Sequence, residues 1–178
     1  MEINLEREFN KAKAELFSNN KFIFISTVFC GLKHIFSDTV TFPGTGTSVK
    51  NPTAMTDGQS VWYNADFWLK QSSKVRVSVL LHDVWHVVLD HMNRVPPNVN
   101  MNTWQIACDH AVNNLLKKAG CEVPDTWYCD TKYQDWGTEL IYVDLLKEQP
   151  NSGGGCTDLQ QQNGTGSDPS TMPGGMGN

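Results

Sequence analysis

The chain has 178 residues, a formal net charge of −5 and 39% hydrophobic residues, which is enough for one domain with a buried core. No cluster of Lys and Arg offers the basic surface that nucleic acids or anionic membranes attract, and the best apolar stretch, residues 22–32, is too short to span a bilayer. Five irregularly spaced cysteines and the lack of a basic N-terminal leader favour a cytoplasmic protein that binds neither nucleic acid nor membranes.

The first part of the chain predicts two helices and then a small β region. Apolar residues recur at helical spacing from residue 3 to 17. The apolar run 21–31 fits a buried strand or a buried helix, and we favour the helix. Between residues 35 and 66 Thr and Val recur among Pro and Gly, and the Asp57-Gly58 turn predicts a strand at 60–63.

Three helices and a tail complete the predicted order. The first runs from Ser73 to about Arg94, with Ser72 or Ser73 as its N-cap. The second begins within 100–103 and ends before Gly120, and the last covers 139–147. Residues 150–178 are rich in Gly, Gln and Ser and predict a flexible tail. We expect a mainly helical α+β domain over residues 1–149.

The sequence H-D-V-W-H at 82–86 predicts half of a metal site. His82 and His86 lie one turn apart on one helical face, so both imidazoles can converge on one ion. A catalytic zinc needs a third protein ligand. Asp109 on the following helix can complete the set with its carboxylate, and its neighbour His110 is the rival. Adjacent helical residues diverge by about 100°, so only one of the two can face the metal, and we favour Asp109. Asn113, one turn after Asp109, is placed to support a ligand.

Two further residues of the first long helix are candidates for supporting roles. His91 lies five residues after His86, about 180° from His82 on a continuous helix, and is expected to face away from the metal. Arg94 is expected to pair with a carboxylate, either Asp90 or one nearer the metal. The alternative to a metal site is a pair of core histidines, yet three polar residues in five buried positions would cost several kcal/mol unless paired or coordinated.

Motifs spread along the chain resemble those of a known family. They are T-D-G at 56–58, Y-N at 63–64, H-D-x-x-H at 82–86 followed by His91 and Arg94, W-x-x-A-x-D-x-x-V-N at 104–113, and T-E-x-I-Y at 138–142. In this order they resemble the "putative metallopeptidase domain" of bacteria and phages, usually found N-terminal to a von Willebrand factor A-like domain. The resemblance covers about residues 1–148.

The resemblance implies a zincin-like fold with zinc at His82 and His86, and with a small sheet or hairpin near the metal cleft. The strand that carries Val61 and Tyr63 would lie along the cleft and pair with an extended peptide. Asp83 stands where the family has the glutamate that acts as general base. Because aspartate is one methylene shorter, catalysis is expected to be retained, weakened or absent.

The predicted function is therefore that of a zinc-dependent metallopeptidase acting on a peptide or protein. Two histidines and a carboxylate suit zinc best, although similar sets bind iron or manganese. Tyr133 and Tyr142 are candidates for stabilising an oxyanion, although aromatic residues more often serve packing.

Two other functions remain open. L-L-H-D-V at 80–84 resembles the metal-binding motif of HD-type phosphohydrolases, in which adjacent His and Asp both bind metal. In this chain His34 would be the upstream metal ligand. The other is a non-catalytic protein that is stabilised by zinc and binds a partner through its surface or its C-terminal tail.

Overall fold

The computed structural model describes residues 4–41 and 46–148. The described helices are α1 Leu5–Ser18, α2 Ile23–Gly31, α3 Ala65–Lys70, α4 Ser73–Val88, α5 Met101–Lys118 and α6 Thr138–Glu148. The strands are β1 Lys33–Phe36, β2 Thr39–Thr41, β3 Ser48–Lys50, β4 Ala54–Thr56 and β5 Ser60–Tyr63. The predicted mainly helical α+β fold is confirmed. The boundary predicted at residue 149 and the tail beyond it lie outside the described residues.

A three-stranded sheet has the order β1-β5-β4, with β5 at its centre. β5 is parallel to β1 and antiparallel to β4. Gly58, with φ of 87°, makes the turn between β4 and β5, a conformation that glycine adopts at little cost. The β2-β3 hairpin packs Val40 against Met55 and Trp62, while Val61 and Tyr63 belong to the main core with α4.

Helix α4 lies at the centre of the domain and packs against α1, α2, α5 and β4. All six residues from Val79 to Val84 are 0% exposed, so this helix is enclosed on every side. Such a helix is normally apolar all round, yet His82 and Asp83 lie in its most buried turn. No helix in the described parts of the chain combines the length and the apolar character needed to cross a membrane.

The N-caps of the two long helices follow the sequence prediction. The Ser72 hydroxyl accepts a hydrogen bond from the Val75 N–H at 3.2 Å, and the Asn100 carboxamide accepts one from the Thr103 N–H at 3.1 Å. Each satisfies one of the N–H groups that a helix start leaves without a partner. The sequence did not predict α3, which begins after Asn64 as its N-cap.

The predicted end of α4 near Arg94 is wrong. The helix ends at Val88, and Asp90 adopts a left-handed backbone with φ of 55°. This conformation stops the helix and turns the chain back, as a residue just past a helix end commonly does. The Asp90 carboxylate accepts a hydrogen bond from the Asn93 side chain at 2.6 Å, which stabilises the turn.

We expect Asp90→Val to lower the free energy of unfolding by about 1–2 kcal/mol, because a β-branched residue in the left-handed region is strained. Asp90→Asn is the matched control, since asparagine tolerates this conformation and should leave stability nearly unchanged. Urea unfolding followed by circular dichroism measures both. Equal stability of the Val and Asn variants would contradict the role of this turn.

Candidate metal centre

The structure brings together three side chains that could hold one metal ion: His82 and His86 of α4 and Asp109 of α5. The two histidine Nε2 atoms are 3.0 Å apart. The Asp109 Oδ1 atom lies 3.4 Å from the His82 Nε2 and 3.3 Å from the His86 Nε2. Ligand atoms of a tetrahedral zinc lie roughly 3.3–3.4 Å from one another, given bond lengths near 2.0–2.1 Å. The three atoms therefore fit a zinc-sized cation.

The orientation of His82 is fixed from its far side. Its Nδ1 atom lies 2.9 Å from the Asn113 Oδ1, and the Asn113 amide nitrogen donates to the Tyr128 carbonyl at 3.0 Å. Because an amide oxygen only accepts, the Nδ1 atom of His82 carries the proton and the Nε2 lone pair faces the site. Trp127 packs edge-on against the His82 ring at 5.5 Å, a contact that sequence reasoning did not find.

His91 fixes the orientation of His86 in the same manner. The Nδ1 atoms of the two histidines are 3.0 Å apart, and the His91 Nε2 lies 3.0 Å from the Thr138 hydroxyl. Burial lowers the pKa of His91 to about 3, so this ring is neutral. When the Nε2 of His86 is a ligand, its Nδ1–H donates to His91, whose Nε2–H then donates to Thr138.

The expectation that His91 faces away from the site is wrong, and the reason is the early end of α4. The left-handed Asp90 returns the chain, so His91 comes back beside His86 instead of continuing around the helix. His91 contacts the Nδ1 atom of His86, on the other side of that ring from the Nε2 ligand atom, and is not one of the three ligands. The structure thus places His91 behind a ligand, as a support.

The other predicted site residues lie elsewhere. His110 accepts a hydrogen bond from the Asp130 N–H at 3.1 Å and packs against Tyr133 in a cluster apart from the metal group. The Tyr142 hydroxyl accepts from the Asn100 N–H at 3.0 Å. Arg94 pairs with Glu139 at the start of α6, and not with Asp90. None of these side chains belongs to the ligand group.

The expected pairing of a peptide with the strand of Val61 and Tyr63 is wrong. Both edges of β5 are already hydrogen-bonded, to β1 and to β4. Tyr63 is fully buried, and its hydroxyl bonds to His34 Nδ1 at 3.0 Å. The other nitrogen of His34 bonds to the Phe29 carbonyl at 2.9 Å, so the ligand arrangement that an HD-type phosphohydrolase requires is not formed.

Asp83 is a buried carboxylate without a partner. It is 0% exposed, and neither of its oxygens has a hydrogen-bond partner among the residues described. Burial raises the pKa of Asp83 to about 7; the His82 charge opposes this rise, and Asp109 adds to it. The charge of Asp83 also raises the pKa of Tyr63, after the larger effect of burial. The carboxylate is thus near both the central strand and the ligand group.

Asp109 behaves in the opposite way. Burial alone would raise its pKa, but the interactions with the adjacent His82 and His86 rings outweigh this effect and hold the pKa below its ordinary value. Asp109 is therefore ionised at neutral pH and supplies a negative charge to the site. The pKa values of the two buried carboxylates thus shift in opposite directions, because only Asp109 has partners.

A small cavity adjoins the site on the side of His86 and Asp109. Its volume is about 20 Å³, and 10–15 Å³ is enough for roughly one water molecule. The ligands themselves are at most 5% exposed. Beyond those two ligands, the wall is formed by Thr56, His91, Met92, Trp104, Gln105 and Cys108.

The comparison with protein families agrees with this geometry. The model of the family described as "Putative metallopeptidase domain" matches residues 6–177. The chain belongs to this family. The match runs past residue 148, where the resemblance seen in the motifs ends. Neither a curated protein nor a solved structure matches the chain significantly.

We expect the wild type to hold one zinc ion and both His86→Ala and Asp109→Ala to lose it, since each removes one of three ligands. His110→Ala is the matched control, because it alters the buried neighbour of Asp109 outside the group. Elemental analysis of the purified, dialysed proteins measures the metal. Full zinc retention by Asp109→Ala would remove this residue from the ligand set.

A second prediction concerns the support of His86. Thr138→Val removes the acceptor of the His91 Nε2–H, and we expect zinc affinity to fall by about tenfold, at the lower end of such effects. Thr138→Ser keeps the hydroxyl and should restore the affinity. Competition with a chromophoric chelator measures the affinities, and melting of the metal-free proteins checks the fold. Equal affinity of the Val variant and the wild type would disprove the link.

Proposed function

We propose that this domain is a zinc-dependent peptidase in which His82, His86 and Asp109 hold the metal and Asp83 is the general base. The observation that carries the proposal is the unpartnered Asp83 carboxylate beside a ligand set with zinc spacing. Zinc in such a set acts as a Lewis acid and makes water available as a nucleophile near neutral pH. Membership of the metallopeptidase family supports the same reaction class.

The role of Asp83 follows from the cost of its burial. An ionised carboxylate without a partner in the interior is destabilised by several kcal/mol, and a water molecule that donates to one Oδ atom removes part of this cost. The same oxygen can take the proton of that water and return it to the amine that leaves the cleaved peptide. Asp83 does not line the cavity beside His86 and Asp109, so this role requires the carboxylate or the water to move.

The narrow access to the site limits which substrates can reach the ligands. The cavity has room for about one water molecule, and the β4 residues Ala54, Met55 and Thr56 are at most 4% exposed. A peptide therefore reaches the ligands only when part of the wall moves. Met92 and Gln105 are the wall residues that are not fully buried, so displacement of these two side chains is the shortest route. An extended, unstructured segment fits this requirement best.

The same burial favours a second function, in which zinc only stabilises the fold. Structural zinc sites have four protein ligands, whereas catalytic sites have three and keep the fourth position for water or substrate. The count of three ligands therefore favours catalysis, while the burial favours the structural function. In that case the ion would link α4 to α5, and the protein would bind a partner through its surface. The two functions differ in one respect that can be measured, which is whether a carboxylate at position 83 affects the cleavage of a substrate.

We expect zinc-loaded wild type to cleave an unfolded protein such as casein slowly. Asp83→Asn should lower kcat/KM by about 10²-fold or more, since general-base catalysis contributes 10²–10⁴-fold. Asp83→Glu should raise kcat/KM above the wild type, because the longer side chain extends the carboxylate towards the ligands. Equal zinc content in the three proteins is the control.

Two outcomes would overturn parts of this proposal. Cleavage that persists at the wild-type rate in Asp83→Asn would refute the assignment of the base. Absence of cleavage by all three zinc-loaded proteins, together with a large loss of thermal stability on zinc removal, would favour the structural role of the metal.

A further inference from the structure

Trp104 carries a buried hydrogen-bond donor that has no partner. The residue is 0% exposed, and its indole Nε1 has no acceptor among the residues that the structure describes. Buried polar groups are almost always paired with protein or with ordered water. An unpaired indole N–H in the interior costs about 1–3 kcal/mol, a cost that an ordered water or an oxygen atom of a bound molecule would remove.

The position of Trp104 connects this donor to the metal centre. The residue lines the cavity that His86 and Asp109 also line. It lies in the first half of α5, five positions before Asp109, and its ring packs edge-on against Tyr142 at 5.8 Å. The ring is therefore held in place by its surroundings before anything binds.

The other polar side chains near the site either have partners already or lie elsewhere. Tyr142 accepts from the Asn100 N–H, and Tyr133 packs in a separate cluster. The Thr56 hydroxyl donates to the Ser60 carbonyl at 2.8 Å and accepts from the Gly58 N–H at 3.1 Å. Neither tyrosine lines the cavity, so the oxyanion role that the sequence suggested for them stays a prediction.

We infer that the Trp104 indole N–H donates a hydrogen bond to an oxygen atom of a ligand bound in this cavity, of the class of peptide carbonyls, carboxylates and hydroxamates. The inference rests on the proposed function for the identity of the substrate, whose carbonyl oxygen would take this place beside His86 and Asp109. A fixed donor at the oxygen that gains charge stabilises that charge at no cost of reorganisation. Trp104 is then a specificity-determining and charge-stabilising residue.

The test uses acetohydroxamic acid, a small oxygen ligand for zinc, and the indole N–H signals of ¹⁵N-labelled, zinc-loaded protein in NMR spectra. On addition of the probe we expect the Trp104 signal to move downfield as its proton gains an acceptor. Trp68 is the matched control, because its Nε1 is also buried without a partner while the residue does not line the cavity. Its signal should stay in place.

Affinities provide the second measurement. Trp104→Phe should weaken binding of acetohydroxamic acid by about 10- to 100-fold, the range expected for a hydrogen bond to a charged group at about 1.5–3 kcal/mol. Trp68→Phe should lower stability and leave this affinity unchanged. Replacing Trp104 with 3-benzothienylalanine, which has sulfur in place of the N–H at nearly the same shape, separates loss of the donor from loss of packing.

The outcomes separate this inference from the proposed function. Binding of the probe without movement of the Trp104 signal, undiminished affinity in both Trp104 variants, or no binding to wild type would each overturn the inference. Movement of the signal together with absence of casein cleavage would uphold the oxygen site and count against the peptidase. Casein cleavage with an unmoved signal would leave the peptidase in place and exclude Trp104 from it.

Discussion

The structure depends on how four polar side chains are accommodated in its core. His82, Asp83, His86 and Asp109 are all at most 5% exposed, on two helices that pack against each other in the core. Two imidazole nitrogens 3.0 Å apart cannot both accept, so a proton or a cation must lie between them. The ionised Asp109 makes a cation the better match, because it balances charge where water is excluded.

Side chains around this group bond to the histidine ring nitrogens that face away from the ligand atoms. Asn113 orients one histidine, and His91 with Thr138 orients the other, so that α4, α5 and α6 each contribute to a single small volume. Rigid support of this kind lowers the cost of reorganisation when a ligand binds. The side that lacks support is the cavity between β4 and the start of α5, which is where a reacting molecule would enter.

Local patterns in the sequence predicted most of the helices and the ligand group, because helical spacing fixes which side chains share a face. The angle between neighbours on one helix meant that only Asp109 or His110 could face the ion, and Asn113 one turn after Asp109 favoured Asp109. The predictions that failed depend on contacts between residues distant in the sequence or on the backbone conformation of a single residue. The left-handed Asp90, which sets the end of α4 and the place of His91, has no sequence signal beyond a residue type that tolerates it. The central position of β5 depends on its pairing with β1 and β4. The Trp104 indole N–H was missed because its lack of an acceptor depends on how the whole domain folds.

The enclosed position of the three ligands has a consequence for the cell. A metal ion that binds only the folded chain adds RT ln(1 + [metal]/Kd) to the folding free energy, about 1.4 kcal/mol for each tenfold rise in free metal above Kd. With ligands on α4 and α5 at the centre of the core, a bound ion would link two helices whose packing stabilises the fold. With a metal bound there, the resistance of this protein to proteolysis would follow the buffered level of that metal, because metal-depleted chains unfold more often.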